Sequence, residues 1–308
     1  MKYIYPDYYK DFECIKGDCK HNCCIGWEID IDDTTAQFYK SVSGEMGERL
    51  NKNISFEEQP HFILGLNERC PFLNKDNLCD IIINLGEEHL CEICADHPRF
   101  RNELPDRTEV GLGLSCEAAA RLIIYRNAPM TLTGETQTDD EIIILRDKII
   151  SILQNRSIDI FERMQELLKA CNTEFDFNNL NRFFDTLFNL ERLDVEWTKT
   201  LATLKNGYDK ADFNGFNTYI KNRITEYEQL AVYFIYRHFA NAFDEESIKE
   251  RARFAVFAVC LIYAIGAVLW TKNGNFEKDE QIEIIRQFSS EIEYSDENLY
   301  ILFEELGM

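Results

Sequence analysis

The chain has 308 residues, of which 45% are hydrophobic and 13% aromatic, so it can bury a sizeable core and is not a disordered protein. Its formal net charge is −22, and the acidic excess is spread over both halves rather than forming a tail. Such a surface keeps a protein soluble, makes nucleic acid a poor partner because it repels phosphate backbones, and is compatible with a cationic, Lys-rich partner.

The short, mixed segments of residues 1–126 predict a small, irregular domain. Asp32 and Asp33 are residue types that begin helices, and Gly86 and Pro98 are residue types that end them. In chain order we predict a strand in WEIDID, a helix through TTAQFYKSV capped by Asp32 or Asp33, a strand in HFILGL, a turn at Lys75-Asp76-Asn77, two helical pieces in CDIIINLGEEHLCEICADHP broken at Gly86 and stopped by Pro98, a strand in RTEVGLGLS, and a helix through CEAAARLIIYR capped by Ser115.

The polar stretch NAPMTLTGETQTDDE, residues 127–141, predicts a domain boundary. After it, apolar residues recur at intervals of three and four, which predicts an all-α bundle of about seven helices over residues 127–308. The predicted helices lie in EIIILRDKIISILQN, IDIFERMQELLKAC, LNRFFDTLFNLERL, YEQLAVYFIYRHFANAF, FAVFAVCLIYAIGAVLW and EQIEIIRQFSSEIEYSDENLYILFEEL.

One of these segments, Phe254 to Trp270, carries no charged residue over 17 positions. A membrane-spanning helix needs about 20 apolar residues, with a lower limit near 17. Because the run is short for a span, stands alone and is rich in Ala, we predict a buried central helix and no membrane association.

The cysteines are the most unusual feature of the composition. There are eleven, an odd number, and nine of them fall within residues 1–116. The start, MKYIYPDYYKDFEC, has no apolar signal-peptide core, so we expect a cytoplasmic protein whose thiols stay reduced. In that compartment a crowd of thiols indicates metal binding or redox chemistry rather than disulfides.

The nine cysteines are candidate metal ligands. The strongest element among them is a C-x2-C pair, because two residues between thiolates let one turn aim both sulfurs at one ion. Cys91 and Cys94 have that spacing, and adjacent Cys23 and Cys24 suit two centres or two corners of a larger cluster. Zinc and an iron–sulfur cluster both remain open, since each takes four such ligands. The candidates are Cys14, Cys19, Cys23, Cys24, Cys70, Cys79, Cys91, Cys94 and Cys116.

Other interpretations compete with metal binding at single positions. Any one of the nine, Cys24 or Cys116 for instance, can be a small buried residue, and we expect Cys171 and Cys260 to belong to the core. The histidines beside the cysteines are more plausible as surface or supporting residues than as zinc ligands. These are His21, His89 and His97. No cysteine stands out as a catalytic nucleophile.

Three blocks of the sequence resemble the flagellin lysine-N-methylase family, within a wider group of cysteine-cluster proteins regarded as zinc- or iron-chelating. Weaker similarity continues in YFIYRHFANAF and IEIIRQFSSEIEYSDENL, so the resemblance covers most of the chain. The three blocks are YIYPDYYKDFECIKGDCKHNCCIGWEIDID, RCPFLNKDNLCDIIINLGEEHLCEICADHPR and LGLSCEAAARLII.

The resemblance implies an enzyme that methylates lysine side chains of flagellin with S-adenosylmethionine as donor. It also implies a [4Fe–4S] cluster bound by these cysteines, with zinc as the alternative metal. The nine cysteines match the motifs of the family position by position. The alternative function is a non-enzymatic zinc-binding module with a helical protein-interaction domain, in which the metal supplies folding energy.

Two motifs common among methyl-transferring enzymes are absent from the sequence. There is no G-x-G-x-x-G turn of the kind that holds a nucleotide, and Gly26 stands where a C-x3-C-x2-C loop would need its third cysteine. The methyl acceptor must also lose a proton, since the pKa of a free lysine is about 10.4. Glu28, Asp30 and Asp32 are candidate bases by location alone, and a solvated strand face explains them better.

Overall fold

The computed structural model describes residues 2–307, and within that range the protein is mainly helical with a small amount of sheet. The helices are α1 Asp33–Ser41, α2 Gly44–Asn53, α3 Asp80–Leu85, α4 Glu92–Asp96, α5 Glu117–Ile124, α6 Glu141–Leu153, α7 Ile160–Ala170, α8 Phe184–Asn189, α9 Val195–Gly207, α10 Phe213–Tyr219, α11 Ile224–His238, α12 Glu245–Asn273, α13 Lys278–Phe288 and α14 Asp296–Gly307. The strands are β1 Lys2–Pro6, β2 Ile54–Ser55, β3 His61–Phe62, β4 Arg99–Glu103, β5 Arg107–Leu112 and β6 Leu132–Thr133.

The described residues form two compact units that interleave along the chain. Unit 1 comprises residues 2–12, 101–115 and 119–307, and unit 2 comprises residues 13–100 and 116–118. The sequence predicts two consecutive domains, 1–126 and 127–308, whereas the first strand and the segment around β5 group with the helical part. Strand pairing explains this grouping, because β1 has its partners far along the chain.

Unit 1 contains a four-stranded sheet in the order β4-β5-β1-β6. Strand β1 runs parallel to β5, with Lys2 opposite Arg107, and antiparallel to β6, with Tyr5 opposite Thr133. The strand predicted in RTEVGLGLS is therefore confirmed as β5. All six of its residues are buried, so its alternating pattern does not mark a solvent-facing side.

The core of unit 1 is built around α12, as the prediction of a buried central helix requires. Its N-terminus is closed by a capping box in which Asp244 accepts from the Ser247 amide, and Gly274 ends it in the left-handed conformation. Among residues 2–307, α12 alone has the length and apolar composition to cross a bilayer, and 83% of its most apolar window is buried inside the protein. The buried residues of α12 therefore have a protein environment.

The predicted helices of residues 127–308 are present, but two further helices were not predicted. These are α9 and α10, which lie between segments with clear apolar periodicity. Helix α10 reads FNGFNTY, and its Gly and Asn content gives it low intrinsic helix propensity. Its N-cap Asp212 and the burial of Phe216 stabilise it, and neither effect is visible as a periodic pattern.

Unit 2 has short elements around a small apolar core, as predicted. Asp32 caps α1 by accepting from the Thr35 amide, Gly86 separates the helical pieces, and the Leu73–Cys79 pairing closes the predicted turn. The strand predicted in WEIDID is wrong, since only an isolated bridge joins Asp30 to His61. Its alternation reports burial on one side, with Ile29 and Ile31 in the core, and no neighbouring strand extends the pairing.

The predicted capping role of Ser115 is also wrong. Helix α5 begins at Glu117, two residues later, and the buried Ser115 hydroxyl has no hydrogen-bond partner among the described residues. A serine close to a helix start indicates a cap only if the backbone enters the helix at the next position.

Candidate functional site

All nine amino-terminal cysteines lie in unit 2, and the backbone brings their separate sequence blocks together. The amide of Cys70 donates to the carbonyl of Cys24 at 2.8 Å, which joins the first block to the second. Cys79 and Cys91 each precede a short helix, α3 and α4 respectively, and Cys94 lies within α4. Local turns and two short helices therefore set the positions of these thiols.

Six of the nine thiols are electrostatic neighbours. The hydrogen bond to Cys23 and burial raise the pKa of Cys24 most, and the charges of Cys23, Cys70 and Cys79 raise it further. Burial raises the pKa of the Cys70 thiol to about 11, with contributions from Cys79 and Cys91. Cys94 is influenced in turn by Cys91, Cys24 and Cys70. The group consists of Cys23, Cys24, Cys70, Cys79, Cys91 and Cys94.

In two pairs within this group, one thiol donates a hydrogen bond to the sulfur of the other cysteine. The Cys24 thiol donates to the Cys23 sulfur, which lowers the pKa of Cys23 to about 7. Likewise the Cys94 thiol donates to Cys91 and lowers the pKa of Cys91, while the pKa values of Cys24 and Cys94 are raised. In each pair one sulfur is thus prepared to become a thiolate, the form that binds metal.

The other three candidate ligands lie apart from this group or beside a carboxylate. Burial raises the pKa of Cys19, the charges of Glu117, Cys23 and Cys14 raise it further, and the Cys19 thiol is 3.9 Å from the Glu117 carboxylate. That carboxylate also accepts from the Lys20 amide at 3.0 Å, and Glu117 directly follows Cys116. The segment 116–118 is thereby fixed to the first cysteine block.

The described residues contain no group of three or more His, Cys, Asp or Glu side chains placed to hold a single metal ion. None of the eleven cysteines, all within residues 2–307, is joined in a disulfide bond. In the described residues the six-thiol group is therefore not already arranged around one ion. Its donor chemistry does fit a multi-iron cluster, because thiolates that bind separate iron atoms at different corners need not converge on one point.

The histidines and acidic residues near the cysteines have other contacts. The ring of His89 stacks on Phe38 with centroids 4.2 Å apart, and burial lowers the pKa of His97 to about 4. Asp32, one of the three candidate bases, accepts from the backbone amides of Thr35 and Glu92, so it has a capping role. Glu28 and Asp30 are exposed, as expected for solvated residues.

Unit 1 contains a buried polar cluster that the search for ligand motifs did not identify. The Glu293 carboxylate accepts from the Tyr233 hydroxyl at 3.0 Å and lies 2.7 Å from Nε2 of His238. The Arg237 guanidinium lies 3.3 Å from the same carboxylate, and it donates to the Tyr233 oxygen at 2.8 Å. Tyr233, Arg237 and His238 lie on α11, and Glu293 lies on a π-helical turn, Ser289–Glu293.

The charges in this cluster are balanced. Burial raises the pKa of the Glu293 carboxyl, but Arg237 and His238 lower it by more, so the net shift is downward. Burial lowers the pKa of His238 below its ordinary value in spite of the hydrogen bond to Glu293. The carboxylate is thus ionised and the imidazole neutral at neutral pH. Three side chains already contact the Glu293 carboxylate, so it is not placed to accept a proton from a substrate. The cluster instead fixes the π-helical turn against α11.

One signal in the sequence pointed to this cluster. The two segments that resemble the family in the helical half are residues 233–243 and 282–299, and they contribute Tyr233, Arg237 and His238 on one side and Glu293 on the other. A π-helical turn inside a helical region is often associated with a functional site, because it costs stability and is otherwise lost.

Comparison with known proteins places the similarity in the same half of the chain. The model of the FliB lysine N-methylase C-terminal domain matches residues 164–307. Proteins called lysine-N-methylase from Salmonella choleraesuis (strain SC-B67) and Salmonella typhimurium (strain LT2) are 27% identical over 139 residues, which is 42% of this chain and 34% of each relative. The flagellar biosynthetic protein FliU of Salmonella muenchen is 28% identical over 149 residues, 46% of this chain and 87% of that protein.

The matched region is thus about a third of the length of the two lysine-N-methylases. No solved structure matches the chain. The family resemblance found in the sequence is confirmed by these comparisons, since residues 164–307 match the model of the FliB lysine N-methylase C-terminal domain.

Proposed function

We propose that this protein methylates lysine side chains of flagellin, with S-adenosylmethionine as the methyl donor. The observation that carries the proposal is the match of residues 164–307 to the FliB lysine N-methylase C-terminal domain. The names of the Salmonella relatives, lysine-N-methylase and flagellar biosynthetic protein, support lysine as the acceptor and a flagellar protein as the substrate. We place the reaction in the cytoplasm, before export of the flagellin subunits.

The transfer itself is a displacement at carbon. The lone pair of the neutral ε-amine forms the new N–C bond, the C–S bond of the sulfonium breaks, and its electron pair stays on sulfur as a thioether. The ammonium must first lose its proton to a base or to water, because its ordinary pKa is about 10.4. The protein has to hold the amine in line with the methyl carbon, and an acidic surface favours the approach of a lysine-bearing partner.

We further propose that the cysteines of unit 2 bind a [4Fe–4S] cluster on which the activity depends. Four of the six neighbouring thiols would be its ligands, drawn from Cys23, Cys24, Cys70, Cys79, Cys91 and Cys94. When bound, such a cluster supplies electron transfer or an open coordination position at iron. The thiol pairs support this assignment, since in each of them a hydrogen bond lowers the pKa of one sulfur.

Two measurements test this function. The protein is purified without oxygen, its visible spectrum is recorded, and iron, sulfide and zinc are quantified. It is then incubated with flagellin and S-adenosylmethionine, and lysine masses are measured by mass spectrometry. A brown protein that contains iron and sulfide and adds about 14 Da, the mass of one methylene group, to flagellin lysines supports the proposal. A colourless protein with stoichiometric zinc and no methyl transfer overturns it in favour of a zinc-binding interaction module.

A further inference from the structure

Unit 1 contains a cavity of about 500 Å³ that the cysteine motifs and the Glu293 cluster do not involve. Its walls come from α7, α10 and α12, together with residues 177–180 and 208–211. The volume lies within the range of about 300–1,000 Å³ that is typical of small-molecule and side-chain sites. All of its lining residues belong to unit 1, and all but Phe161 fall well inside the matched region, residues 164–307.

Aromatic rings form most of the cavity wall. Phe161 of α7 meets Tyr263 of α12 edge to face, with centroids 5.1 Å apart and planes at 86°. Tyr208 meets Phe213 at 5.5 Å and 67°, while Phe213 stacks with Tyr263 at 6.4 Å. The Tyr263 hydroxyl donates to the Phe213 carbonyl at 3.3 Å, which fixes α12 to α10. Aromatic faces attract cations, so a cavity walled by these rings suits a cationic ligand.

The charges around the cavity have one sign. Asp209 is exposed and lines the cavity, and none of its lining residues is a Lys or Arg. Burial raises the pKa of Tyr208, and Asp209 and Asp176 raise it further. Burial also raises the pKa of Tyr263, and the charge of Asp159 raises it further. The lining therefore carries one negative charge and no positive one, which disfavours phosphate or carboxylate ligands and favours a cation.

We propose that this cavity binds the alkylammonium end of a lysine side chain, with or without methyl groups on its nitrogen. The methylene stem packs against Phe161 and Phe213, the rings of Tyr208 and Tyr263 face the charged nitrogen, and Asp209 pairs with it. The identification of the cation as lysine rests on the proposed function. The requirement for a cation rests on the rings and the carboxylate alone.

Binding of small probes tests the cavity directly. N-acetyl-lysine N-methylamide and its Nε-trimethyl form are titrated calorimetrically into the full chain, alongside N-acetyl-norleucine N-methylamide, the neutral probe of similar shape. We expect the cationic probes to bind about tenfold more tightly than the neutral one, as about 1.4 kcal/mol of cation–π and ion-pair energy provides. Equal binding of the neutral probe would show that the cavity is only an apolar pocket and would overturn the proposal.

Variants locate the binding. Asp209→Asn removes one exposed charge and keeps the side-chain shape, so the fold is retained, and we expect about fivefold weaker binding of the cationic probes. Phe213→Leu removes a ring from the wall, and circular dichroism checks its fold. Glu196→Gln is the control, because Glu196 is an exposed carboxylate on α9 that does not line the cavity. If both Asp209→Asn and a correctly folded Phe213→Leu bound the cationic probes with unchanged affinity, the binding site would lie elsewhere.

A free polyamine has the same cationic chemistry as a lysine side chain, so spermidine is titrated as a separate probe. Stronger binding of a lysine-containing flagellin peptide than of spermidine supports the lysine assignment, and the reverse order contradicts it. Methyl transfer is measured on the same variants. Weaker probe binding in the variants with wild-type kcat/KM shows that the cavity binds cations but that the substrate lysine does not use it, so the lysine assignment fails while the proposed function stands. Cation binding without any methyl transfer shows that the function has failed while the cavity stands.

Discussion

At the scale of single residues, the buried charges of unit 1 are compensated by partners that are distant in sequence. Glu293 is held by α11, and a second pair joins Glu109 of β5 to Arg146 of α6, with both side chains fully buried. Such groups are stable inside a protein only when their partners are in place, because an isolated buried charge is very unfavourable.

The Glu293→Gln variant is expected to be destabilised by about 3–5 kcal/mol, because it leaves the buried Arg237 guanidinium without its carboxylate partner. Urea unfolding followed by circular dichroism measures the change. The Arg237 guanidinium and the hydrogen bond from His238 outweigh burial and give the folded Glu293 a pKa below its ordinary value. Its stabilising contribution is therefore present above about pH 4.3 and is lost as pH falls through the folded pKa.

The difference between wild type and variant should therefore persist throughout the neutral range and shrink only in strong acid. Glu166→Gln is the control, since Glu166 is half exposed in a surface pair with Lys169, and its change should stay below about 0.5 kcal/mol. A Glu293→Gln protein as stable as this control would show that the cluster does not hold the π-helical turn.

The residues of this cluster could not be predicted from the sequence by spacing. His238 and Glu293 are 55 positions apart, and neither belongs to a ligand or catalytic motif. The caps, in contrast, were predictable, because Asp32 contacts an amide only three residues away. Local hydrogen bonds leave a signal in the sequence, whereas contacts between helices depend on a packing geometry that no single segment encodes.

At the scale of elements, helix ends are set by single side chains that can be tested separately. The carboxylate of Asp140 accepts from the amides of Ile142 and Ile143 at 2.9 and 3.1 Å, which begins α6. We expect Asp140→Ala to lose about 1 kcal/mol of stability in urea unfolding, because two amides lose their acceptor. Helix α6 carries the buried Arg146, so fraying at this end weakens a segment close to a buried ion pair.

Asp140→Asn provides the matched comparison, since asparagine caps helices about as well as aspartate does. Its stability should be close to that of wild type, and Asp139→Ala, at the exposed neighbouring position, should change little. If Asp140→Asn lost as much stability as Asp140→Ala, the charge and not the hydrogen bonds would be the stabilising feature of this cap.

The elements themselves were largely predictable where apolar residues recur regularly, as in α6, α7, α11 and α12. Helix α10 was missed because its Gly and Asn residues favour other conformations, although its N-cap and the burial of Phe216 stabilise it. WEIDID was misassigned because its pairing with β3 stops at a single bridge.

At the scale of the whole molecule, all nine amino-terminal cysteines lie in unit 2. The sequence predicted that they converge on metal, and this stays a prediction, because the division of ligands depends on distances between loops that no single segment encodes. Whether iron or zinc is bound stays a prediction, as do the ligand roles of Cys14, Cys19 and Cys116.

The double variant Cys91→Ala/Cys94→Ala is expected to lose bound metal and to expose residues 13–100 to proteases, since it removes two thiols that form a proton-sharing pair. Metal analysis and limited proteolysis followed by mass spectrometry measure both effects. The matched control is Cys171→Ala/Cys260→Ala, which removes two buried thiols of unit 1 and should leave metal content unchanged. Full metal retention in the first variant would exclude this pair as ligands.

The pairing of β1 with β5 sets an order of events during synthesis. Residues 2–4 leave the ribosome well before their partners, residues 107–109, which follow only after nearly all of unit 2 has been made. The nascent cysteine region therefore emerges with an unpaired strand ahead of it, and its closing segment, 116–118, comes later still. The proposed metal centre would have this interval in which to form before β1 pairs with β5.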